Sequence, residues 1–225
     1  MEYTVIRTPE QVIPYLKKLK EVKVLAVDTE TTGLDAHKDR LRLVQLGAEG
    51  MPVLLIDCFS FLKDSRGTEC LREILEGEAG KIFHNAKFDL QFFRKEGILP
   101  ENILDTMLAA ELLRPCGGPR KVSLAAVSSH YLGTELDKTE QTGDWSGALT
   151  DTQLEYAALD SRSERTGWRG SLILNSPVCR LWHARNMTEF LWIWNSGKGC
   201  VRIYRANMNA PFRRCMLTAG NLPTS

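Results

Sequence analysis

The sequence predicts an α/β protein whose mixed central sheet is flanked by helices and followed by an irregular C-terminal tail. Three observations carry this reading. β-rich apolar runs come early, at residues 22–28 (VKVLAVD), 41–48 (LRLVQLGA) and 51–58 (MPVLLIDC),. Segments with helical periodicity and capping signals then continue to about residue 160,. Near residue 161 charge, composition and patterning all change together.

The first element is a helix. Thr8 is suited to an N-cap, Pro9 to the first helical position, and Gln11 completes a capping box,. Val12, Ile13, Leu16 and Leu19 then share one apolar face,. Glu49-Gly50 joins the second and third strands as a hairpin,. A helix around 67–76 precedes a short strand in KIFHNA, and FDLQFFRKEG is a helix closed by Gly97,. DTMLAAELL and SLAAVSSHYLG are two further helices, capped by Asp105 and Ser123, the second ending at Gly133,. Thr150 and Gln153 form another capping box, opening the helix TQLEYAALD,.

An apolar content of 43% and a charged content of 25% are ordinary for a globular protein,. No apolar run approaches 18 residues, and MEYTVIRTPE has neither the n-region nor the h-region of a leader, so a cytoplasmic location without membrane contact is expected,. The six cysteines form no C-x-x-C pair and no zinc spacing with histidine, which suits reduced thiols,. The net charge of +1 conceals a division: residues 1–160 hold 19 Lys/Arg against 26 Asp/Glu, and residues 161–225 hold 10 against 2. Four of the five tryptophans also fall in the second part. Such a segment suits a basic, aromatic arm for nucleic acid. It has, however, no sustained period of 3.6 or 2.0, and the expectation is a non-native or disordered appendage at 161–225 beyond a domain at 1–160,.

Four carboxylates stand in three separate blocks where an ordinary core disfavours charge: Asp28 and Glu30 in VLAVDTETTGL, Asp89 in HNAKFDLQFF, and Asp160 in QLEYAALD. Gathered by a fold, they would repel one another strongly. Hard divalent cations with oxygen ligands relieve that repulsion, and a pair of such ions suits phosphodiester hydrolysis. Asp28 and Glu30 are two apart on a strand, and Tyr156 and Asp160 four apart on a helix, so each pair shares a face,.

These blocks resemble the three motifs of the DEDD-type 3′–5′ exonucleases, the proofreading and RNase D-like superfamily. Asp28-Thr29-Glu30 is similar to its Asp-x-Glu motif, Asn85-Ala86-Lys87-Phe88-Asp89 to its second, and Tyr156 to Asp160 to the Tyr-x-x-x-Asp of its tyrosine subclass. The histidine subclass has His five residues before the last Asp, where this chain has Glu155. The resemblance covers residues 1–160 and implies an RNase H-like exonuclease core. It also implies two ions, Mg²⁺ or Mn²⁺, with Asp28 shared between them, Glu30 and Asp160 completing one site and Asp89 holding the other. Tyr156 would orient the attacking water, because a phenol with a pKa of about 10 is a poor base at neutral pH. Thr31, Thr32, Gly33, Leu34, Asn85 and Phe88 are candidate substrate contacts, with Leu34 wedging against a terminal base. His84 is read as structural. Lys138 stands equally as a phosphate contact or a solvated side chain. The implied substrate is a single-stranded 3′ end. DNA is preferred because HNAKFD resembles the exonuclease domains of family A DNA polymerases, and a polymerase partner or module is implied. RNA 3′-end trimming is the runner-up, and a catalytically impaired nucleic-acid-binding domain the reading from another class.

Overall fold

Period-two alternation allows one sheet to serve two cores here. The computed structural model describes residues 2–113, 119–133, 143–158, 189–195 and 201–207. Strands β1 (Tyr3–Ile6), β2 (Val24–Thr31), β3 (Leu41–Gly47), β4 (Val53–Asp57), β5 (Gly80–Phe83) and β6 (Ile103–Asp105) form one sheet in the order β1-β4-β3-β2-β5-β6. β3 runs antiparallel to both neighbours, while β1, β5 and β6 pair in parallel with β4, β2 and β5. The expected mixed sheet is therefore present, with the β3–β4 hairpin turning at Gly50, whose φ of 67° suits glycine,.

Helix α1 (Ile13–Glu21) lies between β1 and β2, α2 (Cys58–Phe61) and α3 (Ser65–Leu75) between β4 and β5, and α4 (Ala86–Lys95) between β5 and β6. Their apolar side chains (Leu19, Phe61, Leu71, Phe92, Phe93) meet Leu25, Val27, Val44, Leu54 and Ile56 on one face of the sheet. On the opposite face Leu43, Val53 and Leu55 pack against Trp145 and against Leu154, Ala157 and Ala158. The last three belong to a helix over 151–158, here α7, after α5 (Thr106–Leu113) and α6 (Leu124–Leu132).

Several local expectations change on contact with the tertiary structure. The capping box at Thr8 closes a short 3-10 turn, Pro9–Gln11, and α1 starts afterwards. Ile13, expected on the apolar face, is 61% exposed, whereas Val12 and Leu19 are buried. Edge strands β1 and β6 were not expected at all. They are three or four residues long, and parallel pairing with β4 and β5 makes them strands. Within 161–225, residues Glu189–Asn195 (β7) and Val201–Asn207 (β8) pair antiparallel. Both are rich in β-branched and aromatic residues, the composition that favours strands,. Among the described residues no helix is long and apolar enough to cross a membrane.

Candidate active site

Strand β2 builds the first half of the site. Leu25 and Val27 enter the core beneath α1, α3 and α4, so alternation turns Asp28 and Glu30 to the other face, the one covered by α7,. The β2–β3 register sets Asp28 opposite Gln45 and Glu30 opposite Leu43, and a bulge between Glu30 and Thr31 ends the regular ladder,. Gln45 is fully buried, and its Nε2 donates to Glu30 Oε1 at 3.4 Å. That contact holds a catalytic candidate, and sequence reasoning missed it. The available signal was an amide in the middle of an otherwise apolar strand, LRLVQLG.

Asp89 arrives from α4, in its first turn, and is 3% exposed. Thr29 Oγ1, on the β2 residue between Asp28 and Glu30, donates to Asp89 Oδ1 at 2.5 Å. The structure thus brings Asp89 against the middle residue of the Asp-x-Glu motif on the α4 side of the sheet, opposite the face to which alternation turns Asp28 and Glu30,. Burial pushes its carboxyl up to about 7, the negative charge of Asp105 adding to the rise and the Thr29 hydrogen bond opposing it,.

Tyr156 is half-buried on α7, against the Leu43, Val53 and Leu55 cluster, so its helix covers the face that carries Asp28 and Glu30. Asp160 and Lys138 lie outside the described residues. Among the described residues no three His, Cys, Asp or Glu side chains gather at metal-holding spacing. The donor chemistry nonetheless fits a hard cation. Asp28, Glu30 and Asp89 offer only carboxylate oxygens, and Asp89 is buried where ionisation is disfavoured until positive charge arrives,.

The expected substrate contacts divide. Leu34 is 87% exposed in the loop after β2 and available as a wedge. Thr31 Oγ1 donates to the Gly33 carbonyl at 2.6 Å, and Thr32 Oγ1 accepts from the Arg40 amide at 3.0 Å, so both hydroxyls shape the loop. A Cβ on Gly33 would collide with the Asp39 carboxylate, so a side chain there would push that carboxylate aside within the loop. Asn85 takes the left-handed conformation, φ 68° and ψ 49°, just before α4. Phe88 packs on Phe92 at 5.2 Å between ring centroids and against the core. His84 Nδ1 lies 2.9 Å from Thr106 Oγ1, in keeping with its structural reading.

Asp89 has a consequence for stability. An acid with a raised folded pKa contributes stability that is complete below its unfolded value of about 4 and lost as pH rises through the folded value. Metal-free protein is therefore expected to lose stability between pH 4 and about 7 on account of Asp89,. Asp89→Asn keeps an acceptor for Thr29 and removes the charge. It is expected to raise unfolding free energy at pH 7.5 by on the order of 2–4 kcal/mol, at about 1.4 kcal/mol per pKa unit. Urea titrations in EDTA at pH 4, 5.5 and 7.5 test this; parallel pH dependences for both proteins would remove Asp89 as the cause.

The sequence profile described as 3′–5′ exonuclease matches residues 3–163. DNA polymerase I of Aquifex aeolicus is 38% identical over 161 residues, covering 71% of this chain and 25% of the polymerase. Ribonuclease D of Escherichia coli is 31% identical over 199 residues, covering 82% of this chain and 50% of the ribonuclease. The chain thus spans between a quarter and a half of these relatives' length. Among solved structures, Brucella melitensis NrnC with bound Mg²⁺ superposes with a TM-score of 0.65 at 25% identity, over 82% of this chain and 88% of that one. With the matching profile spanning well over half the sequence and the same mixed sheet beneath it, the chain belongs to the 3′–5′ exonuclease family.

Proposed function

We propose that the chain removes nucleoside monophosphates from the 3′ end of single-stranded nucleic acid by metal-dependent hydrolysis, with DNA the preferred substrate. The observation that carries this is the β2–β3 register, with Asp28 and Glu30 two apart on the sheet face beneath the Tyr156 helix, and Asp89 hydrogen-bonded to the threonine between them. Asp28, Glu30, Asp89 and Asp160 are the residues that would hold two divalent ions, Mg²⁺ or Mn²⁺. When bound, such ions neutralise charge at the scissile phosphate and make water acidic enough to attack at neutral pH. Tyr156 would orient that water. Leu34 would separate the terminal base from its neighbour, and Asn85, Thr31, Thr32 and Gly33 would shape the floor on which the terminal nucleotide rests.

Both the resemblance of HNAKFD to family A polymerases and the higher identity to DNA polymerase I favour DNA. A polymerase in the cytoplasm is the proposed working partner, residues 1–160 the catalytic unit, and residues 161–225 an appendage outside the chemistry. The ribonuclease D relatives support RNA trimming as the second reading. Digestion of 5′-labelled single-stranded DNA and RNA, with Mn²⁺ and with EDTA, decides among these. Stepwise 3′ shortening of DNA in Mn²⁺ only is expected. Faster shortening of RNA would favour the second reading, and absence of shortening in either would overturn the nuclease assignment.

The roles given to Tyr156 and Asp160 separate in single-turnover rates. Tyr156→Phe removes a hydrogen bond to water and is expected to cost roughly 10- to 100-fold, the low end for positioned groups. Asp160→Ala removes a ligand and is expected to cost more. Equal losses at saturating Mn²⁺ would show that the two roles are misassigned.

A further inference from the structure

Asp105 is the last residue of β6 and is buried. As the sequence predicts, it caps α5: its Oδ1 accepts from the amides of Met107 at 2.8 Å and Leu108 at 3.3 Å,. The same carboxylate also reaches across to the neighbouring strand's exit. Oδ1 accepts from the Asn85 amide at 3.1 Å, and Oδ2 from the Ala86 amide at 3.0 Å. One side chain therefore satisfies the first amides of two helices whose starts lie twenty residues apart,. The second set matters for chemistry. Asn85 sits in the left-handed region, a conformation costly for a residue with a side chain unless its surroundings fix it,. Asp89 follows four residues later in the first turn of α4. Next to Asp105, Thr106 Oγ1 donates to the Phe83 carbonyl at 3.0 Å and meets His84 Nδ1, tying the last residue of β5 and the one after it to the same knot.

We propose that Asp105 is a positioning residue for the metal site: by clamping the Asn85 and Ala86 amides it fixes the start of α4, and through it the carboxylate of Asp89. The inference rests on the reading of Asp89 as a metal ligand. Asp105 itself touches neither ion nor substrate.

Two substitutions separate this role from ordinary helix capping. Asp105→Ser keeps an N-cap oxygen for α5 but is too short, with one oxygen, to hold both α4 amides as well. Asp105→Asn keeps the shape and Oδ1 but replaces the acceptor for Ala86 with a donor. Mn²⁺ binding by titration calorimetry, at a temperature where both proteins are fully folded, is the main readout, with amide hydrogen exchange beside it. Asp105→Ser is expected to weaken Mn²⁺ binding by about 10- to 100-fold, the usual consequence of losing a residue that orients a ligand, with Asp105→Asn intermediate. Exchange is expected to speed up at residues 85–89 while α5 stays protected. Unchanged Mn²⁺ affinity in Asp105→Ser, with only a lower melting temperature, would overturn the proposal. Should that variant not fold, unchanged affinity in Asp105→Asn does the same. Wild-type protein that binds Mn²⁺ without shortening nucleic acid sinks the nuclease reading and leaves this inference standing on the binding data. Wild-type protein that binds no Mn²⁺ sinks both.

Discussion

Asp28→Ala is expected to abolish useful cleavage, lowering the single-turnover rate by on the order of 10³-fold or more, equivalent to about 4 kcal/mol of lost transition-state stabilisation. The size follows from its position. Asp28 is the first carboxylate of the Asp-x-Glu pair, and it faces the fully buried Gln45 across the ladder. By the proposed assignment it is the ligand common to both ions, so its loss weakens both at once. Glu30→Ala, which removes a ligand of one ion only, is expected to cost less at saturating Mn²⁺. The fold should survive, because Asp28 belongs to neither apolar cluster, and far-UV circular dichroism and melting in EDTA serve as controls. A folded Asp28→Ala protein that shortens labelled DNA at near wild-type rate would end the assignment of this pair as the catalytic centre.

The pair was legible in the sequence because a strand's period of two needs no tertiary information: a charge at the end of VLAV, repeated two residues on, can only share a face,. The same locality explains why β2, β3, β4 and the helices with capping signals could be read directly. What escaped reading depends on contacts distant in the chain. β1 and β6 have too few residues for a periodic signature and owe their form to a neighbouring strand. Gln45 was hidden because its partner is on another strand, fifteen residues away. Half of Asp105 was visible. Its cap of α5 follows from adjacent residues, whereas its hold on α4 depends on β5 and β6 lying side by side. The ion pair of Arg42 and Asp57 left a trace that was not used: each charge interrupts or ends an apolar strand, LRLVQLG and VLLID, at a place where solvent cannot reach it.

That ion pair gives the largest expected effect on stability. Arg42 Nη1 donates to Asp57 Oδ1 in a contact with only 4% and 9% of the two side chains exposed. Among the described residues Arg42 has little else to satisfy it: Nη2 donates to the Gly147 carbonyl at 3.3 Å, the guanidinium lies 4.5 Å over the Phe59 ring, and Nε has no hydrogen-bond partner there. Asp57 is better provided for, with the half-exposed Arg7 Nε 3.8 Å from Oδ2. Removing the carboxylate strands a buried cation, while removing the cation leaves an acid with a second arginine beside it. Asp57→Leu is therefore expected to cost about 3–5 kcal/mol, a large part of an ordinary domain's stability. Arg42→Met should cost less, on the order of 1–3 kcal/mol. The double variant, having no buried charge left to satisfy, should recover most of the loss, since apolar replacement of a buried pair is often close to neutral. Urea midpoints for the four proteins at pH 7 in EDTA measure the cycle. The expected coupling is strongly non-additive, with the double variant more stable than Asp57→Leu alone. Because Arg42 also holds Gly147, in the segment entering α7, Asp57→Leu is further expected to loosen the helix that carries Tyr156, seen as faster amide exchange over residues 151–158,. Additive losses, or a cost below about 1 kcal/mol for Asp57→Leu, the range of exposed pairs, would mean that water reaches this pair and that the β3–β4 hairpin is held by its apolar side chains alone.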